Sequence, residues 1–401
     1  MRIYSHFTSA VTPGDRMSAS PSRTAISLPE RIRAASRRPP SLGGAVPGAI
    51  SLAMGEPDND TPQQVVEAAV RALRAGRTRY SQITGSPDLR QEIASHLAHS
   101  QGIEVGPANV VVTHGGSAGL AATVLALLNP GDRVLLPEPT YSLYADHAAM
   151  AGARVEWIST RPDGSIDLHK LAAAAPGARM LILCNPVNPT GMVFSKADIE
   201  GIGAILRDHP DLHLVSDEAY GDIVFDEIAF TSALALTSVR DRVTLSGTFS
   251  KSYSMTGWRI GFLCATPDVA EKINLVHRTI NGPLNTFVQD AAVEALRIPD
   301  KDLHALSARF QRRRDRVMQH LDGLDAVSVV RPLGAFYAFP RVHSSLSSVE
   351  LVQRLADGGV LVRAGSEFGP SGEGHVRLSF ATDDVALEEG LRRFTNVIKA
   401  L

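Results

Sequence analysis

Only six lysines occur in the 401 residues, and one of them, Lys251, stands in an unusual run: Ser246-Gly-Thr248-Phe-Ser250-Lys251-Ser-Tyr-Ser-Met-Thr-Gly257-Trp258-Arg259-Ile-Gly261. A primary amine framed by hydroxyls and apolar groups loses part of its proton affinity and becomes a nucleophile or Schiff-base amine. A lone lysine is ordinarily a solvated surface residue. Here Thr248 and Arg259 argue otherwise, because a hydroxyl donor and a guanidinium together suit a phosphate.

Two further runs place polar groups after apolar ones. In Leu212-His-Leu-Val-Ser-Asp217-Glu218-Ala219-Tyr220 an acid ends a strand-like segment, where open α/β sheets bind ligands; a helix N-cap is the alternative role. In Cys184-Asn185-Pro186-Val187-Asn188-Pro189-Thr190-Gly191 two prolines and a glycine fix a turn that either aims the Asn188 amide into the same crevice or is simply a turn.

The segment from Val110 to Leu125 reads as strand, glycine-rich turn and helix. Its Gly115-Gly116-Ser117-Ala118-Gly119 satisfies GxSxG, the nucleophile elbow of serine hydrolases, with Ser117 as nucleophile. Acyl transfer would also need a histidine base and an acid, for which His375 is available. Small residues opening a helix equally suit an anion cradle of backbone N–H groups, and a plain tight turn is the third reading.

The elements that must position these residues alternate. Strand-like runs fall at 109–113, 133–136, 154–158, 180–184, 212–216, 242–245 and 260–263, and helical periodicity at 64–75, 120–128, 196–207, 267–281 and 287–296. This is the pattern of an α/β protein with a mostly parallel sheet. A long amphipathic stretch, 302–321, then precedes a strand-rich section with runs at 326–330, 334–339 and 376–380, expected to form a second, smaller unit.

Forty Lys and Arg against 42 Asp and Glu give a net charge of −2, which supplies no field for nucleic acid or an acidic membrane. With 44% hydrophobic and 20% charged residues the chain is in the globular regime, and its length suggests two or three structural units. No apolar run reaches the roughly 18 residues of a membrane helix. Two cysteines, Cys184 and Cys264, exclude a disulfide framework, a CxxC pair and a cysteine-rich zinc site, so no metal is expected and the cytoplasm is the default location. Residues 1–47 hold seven arginines and two acids, a local +5 against −7 for the remainder. We expect a poorly ordered basic arm over 1–30, with a transit peptide or a start at Met17 as alternatives.

Together these segments resemble the class I/II aminotransferases, fold-type I enzymes that use pyridoxal 5′-phosphate (PLP). The resemblance runs from Leu52-Ala-Met-Gly55-Glu56-Pro57-Asp58 and Tyr80-Ser-Gln-Ile-Thr-Gly85 to Arg377-Leu-Ser-Phe-Ala, with NPVNPTG, DEAY and the lysine segment ending GWRIG in the family's order. It implies a central sheet of about seven strands in a large PLP-binding domain, 62–300. A smaller α+β domain would be built from the N-terminal segment 31–61 and the C-terminal segment 301–401.

The resemblance also implies roles. Lys251 would hold PLP as an internal aldimine and shuttle a proton; Asp217 would pair with the pyridine nitrogen, while Asn188 and Tyr220 would hydrogen-bond the phenolic oxygen. Gly115, Gly116, Ser117, Thr248 and Arg259 would hold the phosphate, Ser250 adding a contact, and Tyr141 would stack on the ring. Arg377 would grip the substrate α-carboxylate beside Gly55 and Asn188. Tyr80 would reach the phosphate of a neighbouring subunit, implying a homodimer with active sites at its interface. The implied activity is ping-pong transfer of an amino group from an L-amino acid to a 2-oxo acid. A β/γ-elimination lyase or an amino-acid oxidase on the same frame is the alternative, and a serine hydrolase using Ser117 stands outside PLP chemistry. Thr248 replaces the usual serine, the polar Asn281-Gly-Pro-Leu-Asn285 is an unusual filling for a segment near such a site, and His114 has no assigned role.

Overall fold

The structure, a computed structural model, describes residues 27–38 and 46–401, so most of the basic arm expected over 1–30 lies outside the described residues. Residues 28–30 of that range begin a helix, α1 (Leu28–Ala35), which packs on α5 (Leu143–Met150) of the sheet unit.

After the short β1 (Ile50–Ser51), seven strands build the central sheet: β2 (Val110–Thr113), β3 (Arg133–Glu138), β4 (Arg154–Ser159), β5 (Met180–Cys184), β6 (His213–Asp217), β7 (Val243–Thr248) and β8 (Gly261–Cys264). Their order is β2-β8-β7-β6-β5-β3-β4, with β8 antiparallel to both neighbours and the five strands from β7 to β4 mutually parallel. This is the α/β sheet of about seven mostly parallel strands that the sequence predicts. Alternate residues go to opposite faces. Met180, Ile182 and Cys184 join Val134, Leu136 and Val215 on one side, and Leu181 and Leu183 join Leu135, Leu214 and Leu245 on the other. Burial on both faces accounts for the near-continuous apolar runs. Register sets Asp217 beside Cys184 and Ser246, so the strand ends that carry chemistry share one edge.

The covering helices are α2 (Gln63–Arg74), α3 (Pro87–Gln101), α4 (Gly116–Leu127), α6 (Leu168–Ala174), α7 (Lys196–Asp208), α8 (Pro267–Asn281) and α9 (Thr286–Leu296). Helix α4 starts four residues before its apolar periodicity does, because its first turn, Gly-Ser-Ala-Gly, faces the site rather than the core. Helix α3 was not expected. Ser86 caps it by accepting from Leu89 N at 3.3 Å and Gly102, at φ +64°, ends it, but only Leu89, Ile93, Ala94 and Leu97 of its fifteen residues are buried.

A second core gathers Phe310, Val317, Leu351, Leu378, Phe380, Leu391 and Phe394. It is built from α10 (Asp300–Leu321), α11 (Ser348–Asp357), α12 (Asp384–Lys399) and short strands: β9 (Val327–Ser328), β10 (Tyr337–Ala338), β11 (Arg341–Val342), β12 (Val360–Leu361), β13 (Arg363–Ala364) and β14 (Val376–Ser379). The runs expected at 326–330 and 334–339 shrink to two-residue strands. β1 pairs with β12, tying the N-terminal segment to this unit. Arg313 on α10 then grips Asp58 with two 2.8 Å bonds, fixing the segment that carries Gly55 and holding the Asp58 carboxyl below its usual range. Among the described residues no helix is long and apolar enough to cross a membrane.

Candidate active site

A cavity of about 340 Å³ opens at the C-terminal edge of β5, β6 and β7, where the sheet meets the second core. Lys251, in the turn after β7, reaches into it and donates from Nζ to Gly55 O at 2.6 Å. The Tyr220 and Phe336 rings lie 5.9 and 5.8 Å from Nζ. Burial, reinforced by the charge of Arg377, lowers the amine to about 8, so a sizeable neutral fraction exists near neutrality.

Asp217 closes β6 and is 7% exposed. Tyr144 Oη donates to its Oδ2 at 2.7 Å. Burial nevertheless dominates and raises the carboxyl to about 6. A buried acid of this kind is stabilised by a cationic partner in the cavity.

At the opposite wall the first turn of α4 presents its free N–H groups. Gly115 has φ +80°, and a Cβ there would lie 2.8 Å from Arg259 Nη2, so only glycine lets the arginine approach this helix end. Thr248 Oγ1 donates to Ser250 Oγ at 3.0 Å beside it. Helix N-terminus, guanidinium and hydroxyls form a dianion cradle.

Arg377 enters from β14 and is also 7% exposed. Nη1 donates to Asn188 Oδ1 at 3.1 Å and Nη2 to Ala53 O at 2.6 Å, while Nε has no partner among the described residues. Its guanidinium lies over the Tyr337 and Phe368 rings at 4.4 and 5.1 Å. A buried guanidinium with neutral partners is set to receive a carboxylate.

Twelve of the fourteen residues given a role from sequence line this one cavity: Gly55, Gly116, Ser117, Tyr141, Asn188, Asp217, Tyr220, Thr248, Ser250, Lys251, Arg259 and Arg377. Gly115 stands directly behind the wall. Tyr80 does not reach it: the side chain is 92% exposed and its backbone bridges Asn285. Leu284 and Asn285 of the unusual polar segment border a neighbouring cleft of about 810 Å³, which His114 and Arg259 also line. His114 is occupied with His277, its ring Nδ1 3.3 Å from His277 Nε2. Among the described residues no histidine lines the cavity with Ser117, and His375 stacks on Phe339 instead, so the elbow reading lacks its base.

Four contributors escaped the sequence reading. Tyr337 sits in an apolar run indistinguishable from core, and Tyr144 in a mixed stretch that gives its hydroxyl no distinctive setting. Arg38, bound to Asp146 at 2.6 Å, and Arg363, whose Nε is 2.9 Å from Glu367 Oε2, also reach the wall, and nothing in their local sequence marks them.

A doubly covered parallel sheet with a buried amine, a buried acid and two anion-binding ends in one crevice is the frame of a PLP-type enzyme. Residues 47–394 match the family Aminotransferase class I and II, and the chain belongs to that PLP-dependent family. It is 36% identical to a probable aspartate aminotransferase of Methanocaldococcus jannaschii, over 85% of this chain and 91% of that one. It is also 36% identical to aromatic-amino-acid aminotransferase 2 of Thermococcus litoralis, over 89% and 94%. The crystal structure of an aromatic aminotransferase from Pyrococcus horikoshii superposes with a TM-score of 0.86 at 33% identity, covering 93% of this chain and 99% of that one.

Proposed function

We propose that this aminotransferase moves an amino group from an L-amino acid to a 2-oxo acid with PLP held in the 340 Å³ cavity. When bound, PLP supplies an electron sink and carries the amino group between the two halves of a ping-pong cycle. The observation that supports this most directly is Lys251: a buried amine lowered to about 8, touching no carboxylate among the described residues, between an anion cradle and a guanidinium whose hydrogen-bond partners are neutral.

The residues fit the group end to end. The N–H groups of Gly115, Gly116 and Ser117, with Thr248 and Arg259, take the phosphate; Asp217 takes the protonated pyridine nitrogen; Tyr141 covers the ring. Asn188 and Tyr220 donate to the phenolic oxygen. Lys251 Nζ is the amine that would hold the cofactor by its carbonyl carbon and would serve as the base that moves the proton at substrate Cα. Arg377, beside Gly55 and Asn188, orients the substrate by its α-carboxylate, so that one Cα bond is aligned for cleavage.

The exposure of Tyr80 supports a homodimer in which this tyrosine reaches the partner's phosphate site. Two cores support two domains, 62–300 and 31–61 with 301–401, with the site at their seam, where Tyr220, Ile223 and Phe225 of the first pack into the core of the second. Two buried free thiols agree with a cytoplasmic protein. The test is a half-reaction screen: holoenzyme against a panel of amino acids, followed by cofactor absorbance and keto-acid analysis. Conversion of the cofactor with release of a 2-oxo acid is the expected result; ammonia release would mark elimination or oxidation instead.

A further inference from the structure

Tyr337 has no role so far, yet it touches both ends of the substrate side of the cavity. Among the described residues its Oη has one hydrogen-bond partner, Tyr220 Oη at 2.9 Å. Its ring meets Tyr220 edge to face, with centroids 5.7 Å apart at 83°, and its face lies 4.4 Å beneath the Arg377 guanidinium. The side chain is 1% exposed. A Cβ on Gly55 would fall 2.1 Å from Tyr337 Oη, so the glycine leaves the room that this hydroxyl occupies.

Each phenol owns one proton. If the Tyr220 hydroxyl donates its hydrogen bond to the cofactor's phenolic oxygen, then the hydrogen in the 2.9 Å bond between the tyrosines must come from Tyr337. A hydroxyl that accepts one hydrogen bond becomes a stronger donor in the next. We propose that Tyr337 is a positioning residue for amino transfer: its hydroxyl donates to Tyr220 and strengthens the bond Tyr220 makes to the cofactor, while its ring face holds Arg377 for the α-carboxylate. This rests on the PLP reading above.

The two functions separate by substitution. Tyr337→Phe keeps the ring under Arg377 and removes only the donor; Tyr337→Leu removes both. The charged and titratable groups facing the two phenols are Arg377 on β14, Arg363 on β13, Cys184 on β5, Tyr141 before α5 and Lys251 after β7, and Tyr337→Phe alters none of them chemically. Donation from Tyr220 favours the deprotonated phenolic oxygen, so weakening it raises the pH midpoint at which the bound cofactor's visible absorbance titrates.

The experiment is that titration on the full chain reconstituted with PLP, for wild type, Tyr220→Phe, Tyr337→Phe and the double variant. The Tyr337→Phe midpoint should rise by roughly 10–30% of the rise in Tyr220→Phe. It should add nothing in the Tyr220→Phe background. KM for amino-acid donors should change by less than about twofold in Tyr337→Phe and rise for every donor in Tyr337→Leu. An unmoved Tyr337→Phe midpoint, or an equal shift in the Tyr220→Phe background, overturns the proposal. A wild-type protein that forms no visible-absorbing PLP complex overturns the reading beneath it instead.

Discussion

Tyr144 donates to Asp217 Oδ2 at 2.7 Å from a point only three residues beyond Tyr141, and the two tyrosine rings meet edge to face at 5.5 Å. One segment of chain therefore both covers the cavity floor and steadies its acid.

Removing that donor with Tyr144→Phe leaves Asp217 with its burial and without its strongest counterweight. A hydrogen bond to a charged group contributes about 1.5–3 kcal/mol, or roughly one to two pK units. The pH below which the protein stops taking up PLP should rise by about one unit or more, as read by PLP titration across pH.

The acid itself yields a stability test. Asp217 is raised from 3.8 to about 6 in the fold, so the folded apo protein holds this proton more tightly than the unfolded chain. The stabilisation it gives is complete below about pH 4 and is lost as pH rises through 6. Relative to wild type, apo Asp217→Asn should become more stable between pH 4 and 7 by on the order of 3 kcal/mol, measured by urea unfolding. PLP retention should move the other way.

Lys251 has the opposite sign. Lowered to about 8, its amine is deprotonated in the fold sooner than in the unfolded chain, so its contribution is complete above about pH 10.5 and is lost as pH falls through 8. The rate of PLP capture by the apo protein should climb about tenfold per pH unit below 8 and then level, by stopped-flow absorbance. Lys251→Ala should leave nothing that borohydride can trap.

Arg377→Lys keeps the charge and loses the fork. Loss of the two-pronged grip should cut kcat/KM by roughly 10²-fold or more for all amino-acid donors alike, since every one presents an α-carboxylate. A defect confined to one donor would assign Arg377 to side-chain recognition.

Ser117→Ala should weaken PLP affinity by about five- to tenfold, the worth of one hydrogen bond, and leave turnover at saturating PLP near wild type. Complete loss of turnover with PLP still bound would return Ser117 to the role of nucleophile.

What was legible in the sequence was whatever broke its local context. Lys251 among hydroxyls, Asp217 after an apolar strand and Asn188 between prolines are each chemically out of place, and all three line the cavity. Tyr144 and Tyr337 were not legible because a tyrosine's local sequence looks the same whether its hydroxyl meets water or a buried side chain. The strands showed as apolar runs, but β3 and β4 extend past theirs to Glu138 and Ser159, since polar residues at the site edge still pair in the ladder. In the second core the apolar runs overstate the strands: burial there comes from turns and ring packing, and β10 keeps only two paired residues.

The hydrogen bond from Lys251 to Gly55 O joins a residue of the sheet unit to the segment braced by Asp58 and Arg313. The cavity is walled by Tyr220 and Tyr337 of the second core on one side and by strand ends of the sheet on the other, so it exists only where the two fit. Mild denaturant that loosens this seam should abolish turnover while the sheet keeps its circular dichroism. Enzymatic activity thus works as a strain gauge between two bodies, more sensitive than any probe of either one.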